Sequence, residues 1–290
     1  MNTAKPKKHK EKVIRSVGEK IVHEIVFVLF ALYAITLLYP FVFLLMNSFK
    51  TDPIEMLKRP LAFPKSFSFL PYARAFLSMN IGEMFFNTIT LSVGQTFVSM
   101  ALTCMAAYTL AKYRFRLNKF IYTTVIVSSV IPTFGAQAAT FNLIVNVFKL
   151  RNNYFGMMIM CGAFGSAFLF LHSFFKEIPW SFAESAMLDG ASDFRIFLQI
   201  MIPLAKNGIM VFTIMKFMGF WNEYWTTFLY YGGHPTLAVG LKALADNAGQ
   251  SLPYSDFFAG TIICIIPVLI FYAFFSNKLM DNLNAGGIKG

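Results

Sequence analysis

Residues Lys176 to Asn207 read KEIPWSFAESAMLDGASDFRIFLQIMIPLAKN. Pro179 closes any helix that precedes it. Ser181 suits an N-cap, and Glu184 three positions on completes a capping box, so a helix is expected to start there. Ala183, Ala186 and Met187 then fall on one small-residue face, and Asp189-Gly190 ends the helix with a residue tolerant of a left-handed turn. A second run, Asp193 to Ile202, places Phe194, Phe197, Leu198 and Met201 at helical spacing, and Pro203 is expected to stop it. Both helices are too short and too polar to cross a bilayer, which takes about 20 apolar residues. Such a segment can hold a bundle together as an interfacial loop. It can equally serve as a docking knob, because small side chains admit a partner's groove to the backbone and Glu184 and Asp189 can pair with basic groups on its rim. The residues alone leave both readings open.

Outward from this segment the chain turns apolar on both sides. Of its 290 residues 57% are hydrophobic and 13% charged, about half the charged share of a soluble domain, so large soluble domains are excluded. Uninterrupted apolar stretches predict spans at Ile25 to Phe49, Phe85 to Ala111, Phe120 to Leu143, Tyr154 to Phe175, Gly208 to Tyr231 and Phe257 to Ser276. Six spans put both termini on one side. With that side as the cytoplasm, inner segments carry 16 Lys and Arg against eight in outer segments, and the densest cluster, seven, flanks the first span. The expected fold is an all-α membrane protein with six transmembrane helices, N-in and C-in. The Lys176 to Asn207 loop then lies in the cytoplasm between helices 4 and 5.

The net charge of +11 is spent on this asymmetry, and no nucleic-acid partner is expected. Residues 1–24 read as a basic tail followed by an interfacial helix, with Val13, Val17, Ile21 and Ile25 four apart, and residues 25–290 as the membrane domain. The long first apolar run without a small-residue cleavage site predicts a retained span, not a removed signal peptide. Pro53, Pro60, Pro64 and Pro71 make residues 50–84 a compact outer loop, and Pro132 and Pro267 predict kinks. Cys104, Cys161 and Cys264 all sit in apolar stretches, so neither a disulfide framework nor a zinc site is expected.

The loop also resembles the EAA loop of membrane subunits of ATP-binding-cassette importers, whose pattern is E-A-A, three residues, G, nine residues, I, one residue, L-P. Here Glu184-Ser185-Ala186, Gly190, Ile200 and Ile202-Pro203 keep every spacing, departing mildly at Ser185 and Ile202. Ala-Tyr-x-x-Ala-Lys-Tyr-Arg-Phe at 107–115, Trp-Asn-Glu-Tyr at 221–224 and Asn-Ala-Gly-Gly-Ile-Lys-Gly at 284–290 are similar to the second membrane subunit of maltose-type carbohydrate importers. The resemblance implies a half-channel that pairs with a second permease subunit, docks two copies of a cytosolic ATPase subunit and receives sugar or oligosaccharide from an extracytoplasmic binding protein. It implies a coupling helix of Ala183, Glu184, Ser185, Ala186, Met187, Asp189 and Gly190, with Ala285 to Gly290 as a weaker second contact. It also implies that the outer loop residues Asn247, Gly249, Gln250 and Pro253 reach the binding protein, although Gly232 to Ser255 could merely connect two spans.

The sequence has no GxxxxGK[ST] loop to cradle phosphates, so ATP and magnesium are expected in the partner ATPase, with no cofactor, metal or catalytic residue in this chain. Polar groups within spans usually face a cavity or another helix. Gln137, Asn142, Trp221, Asn222, Glu223 and Tyr224 are therefore the candidates for a sugar pathway. Lys216 and Glu223, seven apart, would share a helical face about 10 Å apart along the axis, where they could instead neutralise the interior. A membrane-embedded enzyme is disfavoured, because the four histidines are scattered and lack paired carboxylates. An ion-driven secondary transporter, with Glu223 as its intramembrane acid, is the alternative function. The expected location is the inner or plasma membrane of a bacterial cell, embedded in its lipid.

Overall fold

The computed structural model describes residues 17–131, 135–162 and 164–287. Among these residues every extended element is helical, and a single isolated β-bridge joins Ala248 and Leu252. Helix α1 (Val17–Ser48) runs unbroken through the expected first span with Pro40 inside it, and none of its most apolar stretch is buried within the chain. The interfacial helix expected over residues 10–25 falls partly outside the described residues. From Val17 onward it is continuous with the span.

The proline-rich outer segment folds as short helices α2 (Pro53–Lys58) and α3 (Leu70–Ser78). Lys50 is buried there and donates through Nζ to the carbonyls of Arg59 (2.8 Å) and Pro60 (3.3 Å). Desolvation is the main cause of its lowered pKa. Helix α4 (Ile81–Lys112) is the central post of the bundle, packing on α8 and α12. Its buried face carries a polar stripe that includes Ser92, Gln95, Ser99 and Thr103, beside apolar Leu91, Met100, Cys104 and Ala107.

That stripe answers to the broken spans around it. The expected third span appears as α5 (Asn118–Val130), then α6 (Gln137–Phe141) running into a π-turn over Asn142–Val147. Pro132 and its expected kink lie outside the described residues. The expected fourth span is interrupted between α7 (Tyr154–Met160) and α8 (Ser166–Glu177), where Gly162 and Gly165 take positive φ. An interruption frees carbonyls that lipid cannot satisfy. Gln95 donates to the Met157 carbonyl (3.2 Å) and Ser99 to the Gly162 carbonyl (2.6 Å), so α4 supplies the missing partners.

Beyond α8 come α9 (Ser181–Leu188), α10 (Asp193–Ile196), a π-turn over Phe197–Met201, and α11 (Ile202–Leu204). The chain then bends by 83° into α12 (Lys206–Trp221). Helices α13 (Trp225–Tyr230), α14 (Leu237–Asn247) and α15 (Tyr254–Gly287) complete the described fold, and Pro267 lies within continuous α15. Arg74 on α3 grips buried Asp256 on α15 through two hydrogen bonds, 2.9 and 2.7 Å, which fixes the outer segment to the last helix. By length and composition three described helices can cross a membrane alone, or four if the bent Asp193–Trp221 pair counts as one.

Candidate coupling segment and transport pathway

Helix α9 begins at Ser181, but Trp180 occupies the N-cap and no side chain caps it. The expected capping box is therefore absent. The amides of Ala183 and Glu184 instead bond the Trp180 carbonyl at 2.8 and 3.1 Å, because Pro179 holds Ile178 extended and starts the helix one residue early. The far end is as expected. Gly190 takes φ +80°, its amide bonds the Met187 carbonyl (3.0 Å), and the Ala191 amide bonds the Ala186 carbonyl (2.9 Å), which together form a Schellman motif.

The two faces of α9 differ from the small-residue docking face anticipated. Ala183 is 0% exposed and sits in the largest apolar core with Tyr108, Phe168, Leu171, Phe175, Ile196 and Met201, and Ala186 packs against the same core. These alanines therefore serve close packing within the chain. Glu184, Ser185, Met187, Asp189 and Gly190 are exposed, and Leu188 is 90% exposed. Leu188 lay outside the expected docking set, and its position at i+4 from Glu184 was the available signal.

The second helix also departs from its expected face. Ile196, Phe197, Met201 and Ala205 are buried, whereas Phe194 and Leu198 are exposed. The π-turn adds a residue between buried positions and rotates the face. Pro203 lies inside the helical run, and the bend follows at Ala205.

A second set of residues holds this segment to α4. Lys112 Nζ donates to the carbonyls of Lys176 (3.5 Å) and Ile178. The Tyr113 hydroxyl donates to Asp193 Oδ1 (3.0 Å), and its ring meets Trp180 edge-on, centroids 5.7 Å apart. Desolvation, with help from the Tyr108 and Asp193 hydrogen bonds, raises the Tyr113 pKa well above the usual phenol range. It thus stays a donor. These contacts give a structural role to the 107–115 motif, whose residue spacing alone did not disclose it.

The polar residues proposed for a sugar pathway are not gathered into one site. Gln137 and Asn142 are exposed on α6 and its π-turn, and Asn142 accepts from Asn146 Nδ2 (2.7 Å). Trp221 ends α12, buried edge-on against Phe85 at 6.0 Å. Asn222 donates back to the Met218 carbonyl (2.8 Å), and Tyr224 stacks on Phe228. Glu223 Oε1 accepts from the Thr226 amide (2.8 Å) in the first turn of α13, whose N-cap is Tyr224. Because α12 stops at Trp221, Lys216 and Glu223 do not share a helical face; Lys216 Nζ lies 5.9 Å over the Phe220 ring.

Asn247 at the end of α14 and Gly249, Gln250 and Pro253 in the loop that follows it are all exposed. The loop is tied down. The Leu252 amide bonds the Asn247 carbonyl (3.1 Å), the Gly249 amide bonds the Leu252 carbonyl (2.8 Å), and Asn247 Nδ2 donates to the Ala243 carbonyl (2.7 Å).

Apolar helices, interrupted spans capped by a polar stripe, and a polar helix anchored beside them define a multi-pass, all-helical membrane protein. The family described as binding-protein-dependent transport system inner membrane component matches residues 99–283, and the chain belongs to it. The diacetylchitobiose uptake system permease protein of Streptomyces coelicolor is 31% identical over 265 residues, 90% of this chain and 87% of that one. The maltodextrin transport system permease protein of Streptococcus pneumoniae is 28% identical over 89% of this chain and 92% of that one. In fold, the chain matches a chain from the crystal structure of a bacterial ABC transporter involved in import of the acidic polysaccharide alginate. The TM-score is 0.78 at 24% identity, over 91% of this chain and 98% of that one. The protein is a transport component of the inner membrane, not an enzyme. No finding favours the ion-coupled alternative.

Proposed function

We propose that this chain is the permease subunit of an ATP-binding-cassette importer and forms half of the pathway for a sugar or oligosaccharide delivered by an extracytoplasmic binding protein. The observation that carries the proposal is α9: Ala183 locks one face into the core while Glu184, Ser185, Leu188 and Gly190 stand exposed. A helix held so can pass a push into the bundle without shearing away. In this reading α9 is the cytoplasmic coupling helix, loop 176–207 lies between spans 4 and 5, and Ala285 to Gly290 is a secondary contact whose last three residues lie outside the described ones.

The six spans are α1, α4, α5 with α6, α7 with α8, α12 with α13, and α15, with both termini inside, a basic segment at 1–24 and the membrane domain at 25–290. Two ATPase copies bind ATP and magnesium, so this chain needs neither a cofactor nor a catalytic residue. A second permease subunit seats on the apolar side of the bundle. A groove of about 800 Å³ between α4, α12 and α15, lined by Met100, Cys104, Ile209, Phe217 and Phe271, supports that placement. Asn247, Gly249, Gln250 and Pro253 meet the binding protein on a loop stiff enough to insert. Gln137, Asn142, Asn222, Glu223 and Tyr224 line the sugar route once the second permease closes it, and Trp221 packs against Phe85 behind them. ATP-driven closure of the ATPase pair shifts the bundle between inward-open and outward-open packings by favouring one of them.

Co-purification with its neighbouring subunits tests the reading. An ATPase subunit is expected with the native chain and not with Glu184→Lys plus Gly190→Arg, provided that variant remains folded. Absence of any ATPase from the native preparation would overturn it.

A further inference from the structure

Where α4 ends and α5 begins, the chain reads Lys112-Tyr-Arg-Phe-Arg-Leu-Asn-Lys-Phe120, with cations alternating with apolar side chains. This strap lies beside the end of α8 and borders an open cavity of about 470 Å³ lined by Arg114, Arg116, Lys119, Lys176, His172 and Tyr122. No carboxylate lines it. None of these four cations makes an ion pair among the described residues, where the two ion pairs are Arg74–Asp256 and Lys242–Asp246. The cavity floor is aromatic, with the Tyr122 and His172 rings 4.5 Å apart. Phe115, Leu117 and Phe120, interleaved with the cations, are exposed.

Four unneutralised cations around a concave site select an anion, and oxygen-rich phosphate suits Arg forks best. A soluble phosphate needs only the cations. Phe115, Leu117 and Phe120 beside them add a surface for acyl chains, and basic pockets between helix ends on the cytoplasmic side are where anionic headgroups bind. We infer that this cavity holds the phosphate of an anionic phospholipid of the inner leaflet. The inference rests on the N-in orientation proposed above. The lipid would have a consequence for coupling, because the same strap grips the docking segment: Lys112 holds the carbonyls of Lys176 and Ile178, and Tyr113 holds Asp193 and Trp180. A headgroup bridging Arg114 and Lys176 ties the strap to the end of α8 and stiffens the base from which α9 projects.

The test is native mass spectrometry on the purified permease, alone and with its partner subunits, in micelles mixing phosphatidylglycerol with phosphatidylcholine. The native chain is expected to retain phosphatidylglycerol in preference to phosphatidylcholine. Each nearby cation is worth roughly fivefold in binding to an anionic surface. Arg114→Gln with Arg116→Gln is therefore expected to cut retention by more than about tenfold, and Lys176→Gln on the opposite wall by roughly fivefold, whereas Arg114→Lys with Arg116→Lys keeps most of it. Unchanged thermal unfolding shows that the variants are folded. Equal retention by native and glutamine variants overturns the inference. Displacement of the lipid by millimolar inorganic phosphate assigns the site to a soluble anion and also overturns it. Loss of a partner subunit from the glutamine variants in lipid-free detergent would make the strap a protein contact instead. If no ATPase accompanies even the native chain, the importer reading fails while lipid retention by the isolated permease still decides this one.

Discussion

Leu188→Ala separates docking from folding. Leu188 is 90% exposed, so truncating it removes almost no packing within the chain, and a surface change of this kind moves stability by at most about 0.5 kcal/mol. In the coupling-helix reading the same side chain is buried on assembly. Full burial of a leucine is worth about 1.5–3 kcal/mol, of which alanine keeps a part, leaving a loss of about 2 kcal/mol. At 1.4 kcal/mol per tenfold this weakens ATPase binding by roughly thirtyfold. The assay is titration of the purified ATPase subunit onto permease held in nanodiscs, read with thermal unfolding of the permease alone. Binding within twofold of native would remove Leu188 from the interface and with it the claim that this face docks. A clear fall in the permease's own melting temperature would refute the premise that Leu188 is free of intrachain packing.

Other changes probe the frame. Gly190→Ala places a Cβ at φ +80° and is expected to cost about 1 kcal/mol, although nothing lies within 4 Å to clash with it; thermal unfolding reads the loss. Arg74→Met leaves buried Asp256 without its cation. Since Arg74 is itself partly exposed, the cost is about 2 kcal/mol, and adding Asp256→Asn should restore most of it in a double-mutant cycle. Tyr113→Phe loses the bonds to Asp193 and Tyr108, worth about 1 kcal/mol at this partly exposed site. Because burial raises the Tyr113 pKa, its phenol stays protonated in the folded state. The difference between native and variant should hold constant below about pH 9 and shrink past about pH 10, where the unfolded tyrosine ionises.

Long apolar runs were enough to predict an all-helical membrane protein, because in lipid a spanning segment must satisfy its backbone groups internally. The end of α9 was legible for the same kind of reason, since Gly190 is the residue that a left-handed C-cap favours. Interruptions were not legible. Hydropathy across Tyr154 to Phe175 is continuous, and the break at Gly162 and Gly165 exists because α4 offers Gln95 and Ser99 to the freed carbonyls. Likewise the face of Asp193 to Ile202 was misplaced because a π-turn changes the period that the eye assumes. At the candidate site, Glu184 and Gly190 were readable from spacing, while the inward turn of Ala183 was not. Small residues suit a partner's groove and a crowded core equally, and only the aromatic neighbours Phe168 and Phe175 decide between them. Glu223 taught a similar lesson, for an acid within an apolar run proved to bond the Thr226 amide in the first turn of α13.

The central claim, ATP-driven import through this chain, is tested most directly in sealed vesicles containing the reconstituted complex and its binding protein. With ATP supplied on the ATPase side, a panel of labelled sugars and oligosaccharides is offered on the other side, and uptake is followed with and without uncouplers. The account predicts uptake that requires ATP and the binding protein, ignores proton and sodium gradients, and falls with Leu188→Ala. Uptake that persists without ATP and collapses when an ion gradient is removed would contradict it.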